Sequence, residues 1–248
     1  MAQQVLQYPL SADFNEQEGR AAALQPIANN DGLTGRFGTQ SVSSATCNNV
    51  DSTAAWFFED DAGLQFNNAG FIDCQYALEM TFKIDEVPVY PPWVRLLSFT
   101  HTNDHGLYIY FNFFTGTGTL EFWPNGRVGT AGFFNNQDFF QLTLTRECDG
   151  GMVVYVNGQQ FATYDDSNTA TYLPQQGKDY IIFFRDHPSV LANEASPGWV
   201  RNIVIADRPW APDEVTERWE DFCNRFEAPE EPVDCLGVVN GAAVPDSC

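Results

Sequence analysis

Hydrophobic residues up to about residue 205 fall into short runs of strand length, separated by clusters of turn-forming residues. The runs are rich in β-branched and aromatic side chains, which favour strands, and Gly, Asn, Asp or Pro stands at their ends. The pattern predicts strands at 75–85, 94–100, 107–113, 118–123, 139–147, 152–157, 180–185 and 199–206. Because no helices are interleaved with them, we expect an all-β fold with two packed antiparallel sheets.

Turns and one helix complete the pattern. Gly150 after Asp149 and Gly158 after Asn157 are strong hairpin signals, because Gly and Asn tolerate the positive φ of tight turns. A short helix is predicted to start near Pro212, which suits the first helical position and is followed by two carboxylates. Its apolar side, spaced i, i+4 and i+7, is formed by Val215, Trp219 and Phe222.

The segment 107–123 alternates most clearly between two faces. One face should fill the core with Leu107, Ile109, Phe111, Phe113, Leu120 and Phe122. The opposite face should meet water, and its candidate ligand-binding residues are Tyr108, Tyr110, Asn112, Glu121 and Trp123. Aromatic rings beside an amide and a carboxylate suit a carbohydrate, because sugar faces stack on rings and hydroxyls take hydrogen bonds. The alternative is that these aromatic pairs only stabilise the sheet, and that a loop covers Trp123.

Two loops carry candidate metal ligands. In the loop 98–106, His101, Asp104 and His105 could bind a transition metal, although such loops are more often solvated turns. The loop after residue 185 offers hard oxygen ligands for Ca²⁺, at Asp186, Asn193 and Glu194. The alternative for that loop is an ordinary polar segment in which Glu194 pairs with Arg185 or Arg201.

The charge balance narrows the range of partners. With 33 acidic residues against 12 Lys and Arg, the formal net charge is −21. This excludes electrostatic nucleic-acid binding, which depends on Lys and Arg, and it disfavours anionic lipid. The apolar runs are far shorter than the ~20 residues that cross a bilayer, so no membrane insertion is expected.

Six cysteines without a CxxC pair or zinc-ligand spacing favour disulfides and hence an extracellular, secreted or cell-surface protein. The segment 1–5 has neither the basic nor the apolar part of a secretion signal, so the cysteines carry this inference. Many pairings are open. Proximity favours Cys235 with Cys248, then Cys47 with Cys74 and Cys148 with Cys223.

Several segments resemble the laminin-G-like members of the concanavalin-A-like lectin/glucanase superfamily. They are the strand entry 104–109, the strand pair FQLTLTR (140–146) and GMVVYVNGQ (151–159), the closing strand WVRNIVI (199–205) and the helix start PDEV (212–215). The resemblance runs from about Val5 to Trp219. It implies a curved jelly roll that binds glycans or proteins, often with Ca²⁺ near the rim.

The composition changes after residue 226, which divides the chain into a jelly-roll domain at 1–226 and an acidic, Pro-containing linker with a small Cys-closed tail at 227–248. The tail segment DCLGVVNGAA (234–243) resembles a unit between modules of large secreted bacterial surface proteins. That resemblance implies other modules of a longer chain as partners.

Catalytic patterns of this fold are missing from the sequence. No strand carries the Glu-x-Asp-x-x-Glu arrangement of its glucanases, and the QxH strand of its alginate-degrading relatives is absent. We therefore expect a non-catalytic, lectin-like adhesion module for a glycan or glycoprotein. The alternatives are a structural spacer or protein-docking domain, and a glycan hydrolase or lyase.

Overall fold

The computed structural model describes residues 4–43, 50–99, 104–174, 179–187 and 194–224. Fifteen strands and one helix lie in these ranges. The strands are β1 (Val5–Tyr8), β2 (Gln25–Ile27), β3 (Gly35–Ser43), β4 (Val50–Phe58), β5 (Gly63–Asn67), β6 (Tyr76–Ile84), β7 (Trp93–Ser98), β8 (Gly106–Asn112), β9 (Thr117–Trp123), β10 (Gly126–Val128), β11 (Phe140–Arg146), β12 (Gly151–Val156), β13 (Gln159–Asp165), β14 (Tyr180–Phe183) and β15 (Gly198–Ala206), and the helix is α1 (Pro212–Asn224).

The strands form two antiparallel sheets. The eight-stranded sheet has the order β13-β12-β11-β6-β15-β4-β3, with β1 paired to β15 beside this path. The seven-stranded sheet has the order β10-β9-β8-β7-β14-β5-β2. A bulge between Val200 and Asn202 interrupts the pairing of β15 with β6. The predicted all-β sandwich with one C-terminal helix is therefore confirmed.

The core lies between the inner faces of the two sheets. Leu78 and Phe82 of the eight-stranded sheet and Ile109 and Phe122 of the seven-stranded sheet are buried in one continuous apolar cluster. Aromatic side chains fill much of this space and pack edge-on, tilted or stacked against one another. Because inner positions alternate with outer ones along each strand, the outer faces and the strand ends remain for function.

Each of the eight strands predicted from the hydrophobic pattern is present, with ends shifted by no more than two residues. The predicted core face of the 107–123 hairpin is also correct at five of its six positions. Phe113 is the exception and is 53% exposed, because β8 ends at Asn112 and the chain turns there. The shorter strands β1, β2, β5 and β10 carry too few residues to show a period.

Helix α1 packs on the outer face of the eight-stranded sheet, as its apolar spacing predicted. Val215 lies with Trp210 against Tyr155, while Phe222 lies against Trp199. Asp213 and Glu214 occupy the first turn, where carboxylates complement the positive end of the helix. Among the described residues, no helix has the length and apolar character needed to cross a bilayer.

The predicted disulfide pairing is wrong for two bonds. Cys74 is bonded to Cys148, with a Cα–Cα distance of 4.6 Å, which rules out both Cys47 with Cys74 and Cys148 with Cys223. Cys74 lies two residues before β6 and Cys148 two residues after β11, and these strands pair with each other. Sequence proximity failed because strand pairing brought together cysteines 74 residues apart. Cys223 is also disulfide-bonded, and Cys47, Cys235 and Cys248 lie outside the described residues.

The predicted hairpin turn between β12 and β13 also supports the helix. Asn157 and Gly158 both have positive φ, 52° and 75°. A Cβ on Gly158 would lie 2.7 Å from the Cβ of Trp219, and the Gly158 carbonyl accepts a hydrogen bond from Thr216. The close approach of α1 to the sheet therefore needs glycine at this position.

We expect Gly158→Ala to lower the free energy of unfolding by about 2–3 kcal/mol, through unfavourable φ and the clash with Trp219. Gly116→Ala is the matched control, because Gly116 has a similar φ of 68° and open space around its Cα. The control should lose only about 1 kcal/mol. Equal losses for the two variants in urea unfolding would contradict the proposed contact with the helix.

Candidate functional site

Three aromatic side chains form a continuous surface on the outer face of the seven-stranded sheet. Trp93 of β7 lies opposite Tyr110 of β8 in the strand register, and their ring centroids are 5.3 Å apart. The Trp93 and Trp123 centroids are 6.3 Å apart. Trp123 is 37% exposed, while Trp93 and Tyr110 are half-buried. We call Trp93, Tyr110 and Trp123 the aromatic platform.

Polar side chains beneath and beside the platform hold its rings in place. The buried carboxylate of Glu121 accepts a hydrogen bond of 2.9 Å from Trp93 Nε1. Arg127 Nε lies 3.5 Å from the same carboxylate, and its guanidinium carbon lies 3.5 Å from the centre of the Tyr110 ring. These contacts fix ring orientation before any ligand arrives, which reduces the entropy lost on binding.

An acidic cluster adjoins the platform. Asp104, Asp186 and Glu194 each present a carboxylate oxygen, and these oxygens lie within 4.8 Å of one another. We call these three residues the acidic notch. A small cavity of about 70 Å³ joins the notch to the platform and is lined by Asp104, Glu194, Trp93, Trp123 and Tyr108.

The guanidinium of Arg95 compensates part of this negative charge. Its side chain is only 1% exposed, and its Nη2 donates a hydrogen bond to the carboxylate of Asp104. Its Nε lies 3.6 Å from Asp186 Oδ1. The backbone N–H of Arg95 also donates to the carbonyl of Glu194 at 2.9 Å, which holds the loop containing Glu194 beside β7. Arg95 is therefore a cation that contacts two of the notch carboxylates, Asp104 and Asp186.

Burial and crowding shift the proton affinities of the notch. Burial, followed by repulsion from Asp104 and Asp186, raises the pKa of Glu194 to about 7. Burial also raises the pKa of Asp186, although the backbone N–H groups of Glu194 and His187 hydrogen-bond to it and oppose the rise. Near neutral pH, Glu194 of the notch can therefore take up a proton.

The predicted ligand-binding residues separate into two groups. Tyr110 and Trp123 reach the surface as expected, but Tyr108 and Glu121 are buried, with 1% and 5% exposure. Tyr108 is covered because it pairs with Arg95, whose guanidinium lies over its ring at 4.8 Å, and its hydroxyl donates to Asp104. Burial raises the pKa of Tyr108.

Asn112 is exposed, but its side-chain oxygen accepts a hydrogen bond from the Phe114 N–H and so supports the β8–β9 turn. Of the predicted calcium ligands, Asp186 and Glu194 do lie together, while Asn193 lies outside the described residues. His101 of the other candidate metal loop also lies outside them. The structure adds Asp104 from that loop to the notch.

Two residues of the site were missed in the sequence. Trp93 stands just before the predicted strand, although it shares the face of Arg95 two residues later. Arg95 is the one charge in the mostly apolar stretch WVRLLSF (93–99), and a charge in a buried strand requires a partner. That pattern indicated a buried ion pair, but nothing local in the sequence names Asp104 and Asp186 as its partners.

The donor set of the notch fits a hard divalent cation. Ca²⁺ prefers carboxylate oxygens, and the notch supplies three carboxylates, one from the segment before β8 and two from the connection between β14 and β15. Three carboxylates against the single guanidinium of Arg95 leave two uncompensated negative charges, which a divalent cation would neutralise. Protonation of Glu194 is the competing way to reduce the same repulsion.

No family model and no curated protein matches the sequence. Solved structures with the same fold include domain 4 of AbnA, a GH43 extracellular arabinanase from Geobacillus stearothermophilus in complex with arabinotriose. It is 13% identical with a TM-score of 0.61, and the match covers 88% of this chain and 98% of that domain. The receptor-binding domain of botulinum neurotoxin D is 12% identical with a TM-score of 0.55, over 88% of this chain and 52% of that one.

A mutant of Trypanosoma rangeli sialidase displaying trans-sialidase activity is 14% identical with a TM-score of 0.56. The match covers 88% of this chain and 33% of the sialidase. At these identities the likeness is one of fold, a β-sandwich found in carbohydrate-binding, receptor-binding and glycoside hydrolase proteins.

The raised pKa of Glu194 predicts that the free energy of unfolding depends on pH. Between the ordinary pKa of 4.5 and about 7, the folded protein keeps a proton that the unfolded chain has lost, so stability falls as pH rises through this window. With EDTA present to remove divalent cations, Glu194→Gln should remove this fall in stability. We expect the variant to match the wild type at pH 4.5 and to exceed it at pH 8 by about 1 kcal/mol, since partial exposure screens the repulsion.

Urea unfolding at the two pH values measures this difference. The charged and titratable groups that face Glu194 are Asp104, Asp186, Arg95 and Tyr108, and all are kept in the variant. Glu217→Gln on the exposed side of α1 is the control and should be neutral at both pH values. A gain of equal size at pH 4.5 and pH 8 would show that repulsion in the notch is not its cause.

Proposed function

We propose that this chain is a non-catalytic carbohydrate-binding module of an extracellular protein, and that its glycan or glycoprotein ligand stacks on the aromatic platform. The observation that carries the proposal is the held Trp93–Tyr110–Trp123 surface, with Glu121 and Arg127 fixing the rings. Rings in a fixed orientation bind the apolar faces of sugars with little loss of entropy. The carboxylates of the adjacent notch can accept hydrogen bonds from sugar hydroxyls.

The fold likeness supports this proposal without specifying the ligand. Domain 4 of AbnA has a structure in complex with arabinotriose, and it matches the chain over nearly its whole length. Arabinotriose is therefore a reasonable first probe. Weak single sites gain strength when modules are repeated, so a place within a longer secreted or cell-surface chain fits this role.

Glycoside hydrolysis is the second candidate function, and one observation favours it. Glu194, with its pKa near 7, stands close to two further carboxylates, as in sites that use one carboxyl as acid and another as base or nucleophile. Against this function, Asp104 is held by Arg95 and Tyr108, and Asp186 by two backbone N–H groups. The cavity of about 70 Å³ is also far smaller than the several hundred Å³ of a typical ligand pocket.

An array of plant, bacterial and animal glycans that includes arabinotriose tests the main proposal. We expect Trp123→Ala to weaken binding to the glycans retained by the wild type by about 30-fold, the loss of about 2 kcal/mol typical of a central aromatic contact. Phe114→Ala is the matched control, because Phe114 is 95% exposed at the far end of the same hairpin. It should bind as the wild type does.

Binding that is unchanged in Trp123→Ala, or no binding to any glycan on the array, would favour a spacer or protein-docking domain. Reducing ends released from arabinotriose by the wild type but not by Glu194→Gln would instead establish hydrolysis.

Calcium binding at the acidic notch is a separate proposal with its own measurement. At ten times its Kd, Ca²⁺ should stabilise the folded state by about 1.4 kcal/mol, a rise of about 3–6 °C in the unfolding midpoint relative to EDTA at pH 7.5. Glu194→Gln should lose most of this rise, while the exposed control Glu217→Gln should keep it. The same midpoint with Ca²⁺ and with EDTA would exclude the site.

A further inference from the structure

A second cavity lies on the opposite sheet, away from the aromatic platform. It has a volume of about 290 Å³ and opens between the outer face of the eight-stranded sheet, helix α1 and the segment containing Gln7 and Ser11. Its floor and walls include Glu79, Gln141, Arg201, Asn202, Arg218 and Asp221. We call it the sheet–helix pocket. It is larger than the cavity at the notch and contains a higher proportion of polar side chains.

The floor of the pocket contains buried polar atoms without a hydrogen-bond partner among the described residues. Gln141 is 1% exposed, and its Oε1 has no such partner. Asn202 donates from Nδ2 to Glu79 Oε1 at 3.1 Å, which fixes its amide, and within the described ranges its Oδ1 has no partner. An unsatisfied buried acceptor is energetically costly, so two of them in the lining of one pocket indicate a place for incoming donors.

The strand register places these two acceptors at the same level on either side of one strand. Gln141 of β11 and Asn202 of β15 both pair with Thr81 of the intervening strand β6. The bulge in β15 lies directly before Asn202 and places Arg201 at the pocket as well. The two open oxygens therefore lie on neighbouring parts of one rigid floor, rather than on loops.

The charges around the pocket balance. Glu79 is only 2% exposed and is held by Arg218, whose Nε and Nη2 lie 2.8 and 3.3 Å from its two oxygens. Arg201 and Asp221 add one further charge of each sign. With two guanidinium groups and two carboxylates, the pocket offers no net charge to attract an anion or a cation.

One wall of the pocket is apolar. Phe222 of α1 is 6% exposed and lines the cavity, and the guanidinium of Arg201 lies 4.9 Å from its ring centre. A volume of about 290 Å³ stands at the lower end of the range of small-molecule pockets, so it suits one ring-sized molecule rather than a chain. The occupant should therefore be small, neutral and rich in hydroxyl donors, with one apolar side.

We propose that the sheet–helix pocket is a second ligand site, which binds a single neutral sugar residue through hydroxyl donors to Gln141 Oε1 and Asn202 Oδ1. This site is independent of the aromatic platform and would make the module bivalent. Neither observation that carries it, the two open acceptors and the balanced charge, is used by the proposed function.

Free arabinose, galactose and glucose are the probes, with N-acetylneuraminic acid as the anionic comparison. Ligand-observed NMR titration should detect a neutral monosaccharide binding to the whole chain. Gln141→Leu should weaken this binding at least tenfold, because it removes an acceptor while keeping the volume. The control is Thr143→Val, which removes a buried hydroxyl two residues along the same strand but outside the pocket lining. It should bind as the wild type does.

Three results would overturn this proposal: no binding of any neutral monosaccharide, equal binding by Gln141→Leu, or tighter binding of N-acetylneuraminic acid. Trp123→Ala separates the two sites, because it should weaken binding at the platform by about 30-fold and leave monosaccharide binding intact. Loss of monosaccharide binding in Trp123→Ala would place the sugar at the platform instead. If Gln141→Leu does not fold, the wild type can be titrated with the monosaccharide instead. The side-chain amide signals of Gln141 and Asn202 should then shift, and unchanged signals would contradict the proposal.

Discussion

The buried guanidinium of Arg95 is the charge on which the candidate site depends. A cation with 1% exposure is tolerated inside a protein only when it is paired and hydrogen-bonded. Its partners come from separate segments, Asp104 before β8 and Asp186 after β14. Pairing with Arg95 therefore brings two loop ends to one strand, and the backbone contact with Glu194 adds a third. The acidic notch results from the need to satisfy one buried charge.

Buried polar groups elsewhere in the fold also need hydrogen-bond partners. Two other ion pairs differ in how far that need is met around them. Arg146 Nε lies 3.1 Å from Asp166, and the remaining capacity of that carboxylate is taken by the Thr169 hydroxyl and by the backbone N–H groups of Thr171 and Tyr172. Both oxygens of the Asp166 carboxylate are hydrogen-bonded within the protein, so this ion pair offers a ligand no free acceptor. The pair of Glu79 with Arg218 is also hydrogen-bonded, but the amide oxygens of Gln141 and Asn202 beside it have no hydrogen-bond partner in the described part of the chain. Buried acceptors that lack a hydrogen-bond partner, rather than the presence of charge, distinguish the sheet–helix pocket from this ion pair.

Local patterns predicted the fold well and the site only in part. The two-residue period located β8 and β9 and identified the face that carries Tyr110 and Trp123. It did not predict that Tyr108, on that same face, is buried beneath Arg95, because burial depends on the neighbouring strand β7. The bond of Cys74 to Cys148 was missed for the same reason, since the pairing of β6 with β11 is a long-range contact. Periodicity specifies the face of the sheet to which a side chain points, whereas its burial and its bonding partners depend on the tertiary arrangement.

The platform and the notch share walls, so binding at one has consequences for the other. Trp93 and Trp123 carry the proposed stacking surface and also border the notch cavity. A glycan on these rings would displace water from the mouth of the cavity, and removal of water strengthens repulsion between the carboxylates beneath it. Uptake of a proton or a cation by the notch reduces this repulsion. Glycan binding at the platform and uptake of positive charge at the notch therefore favour each other. By thermodynamic reciprocity, whatever neutralises the notch strengthens glycan binding by the same factor.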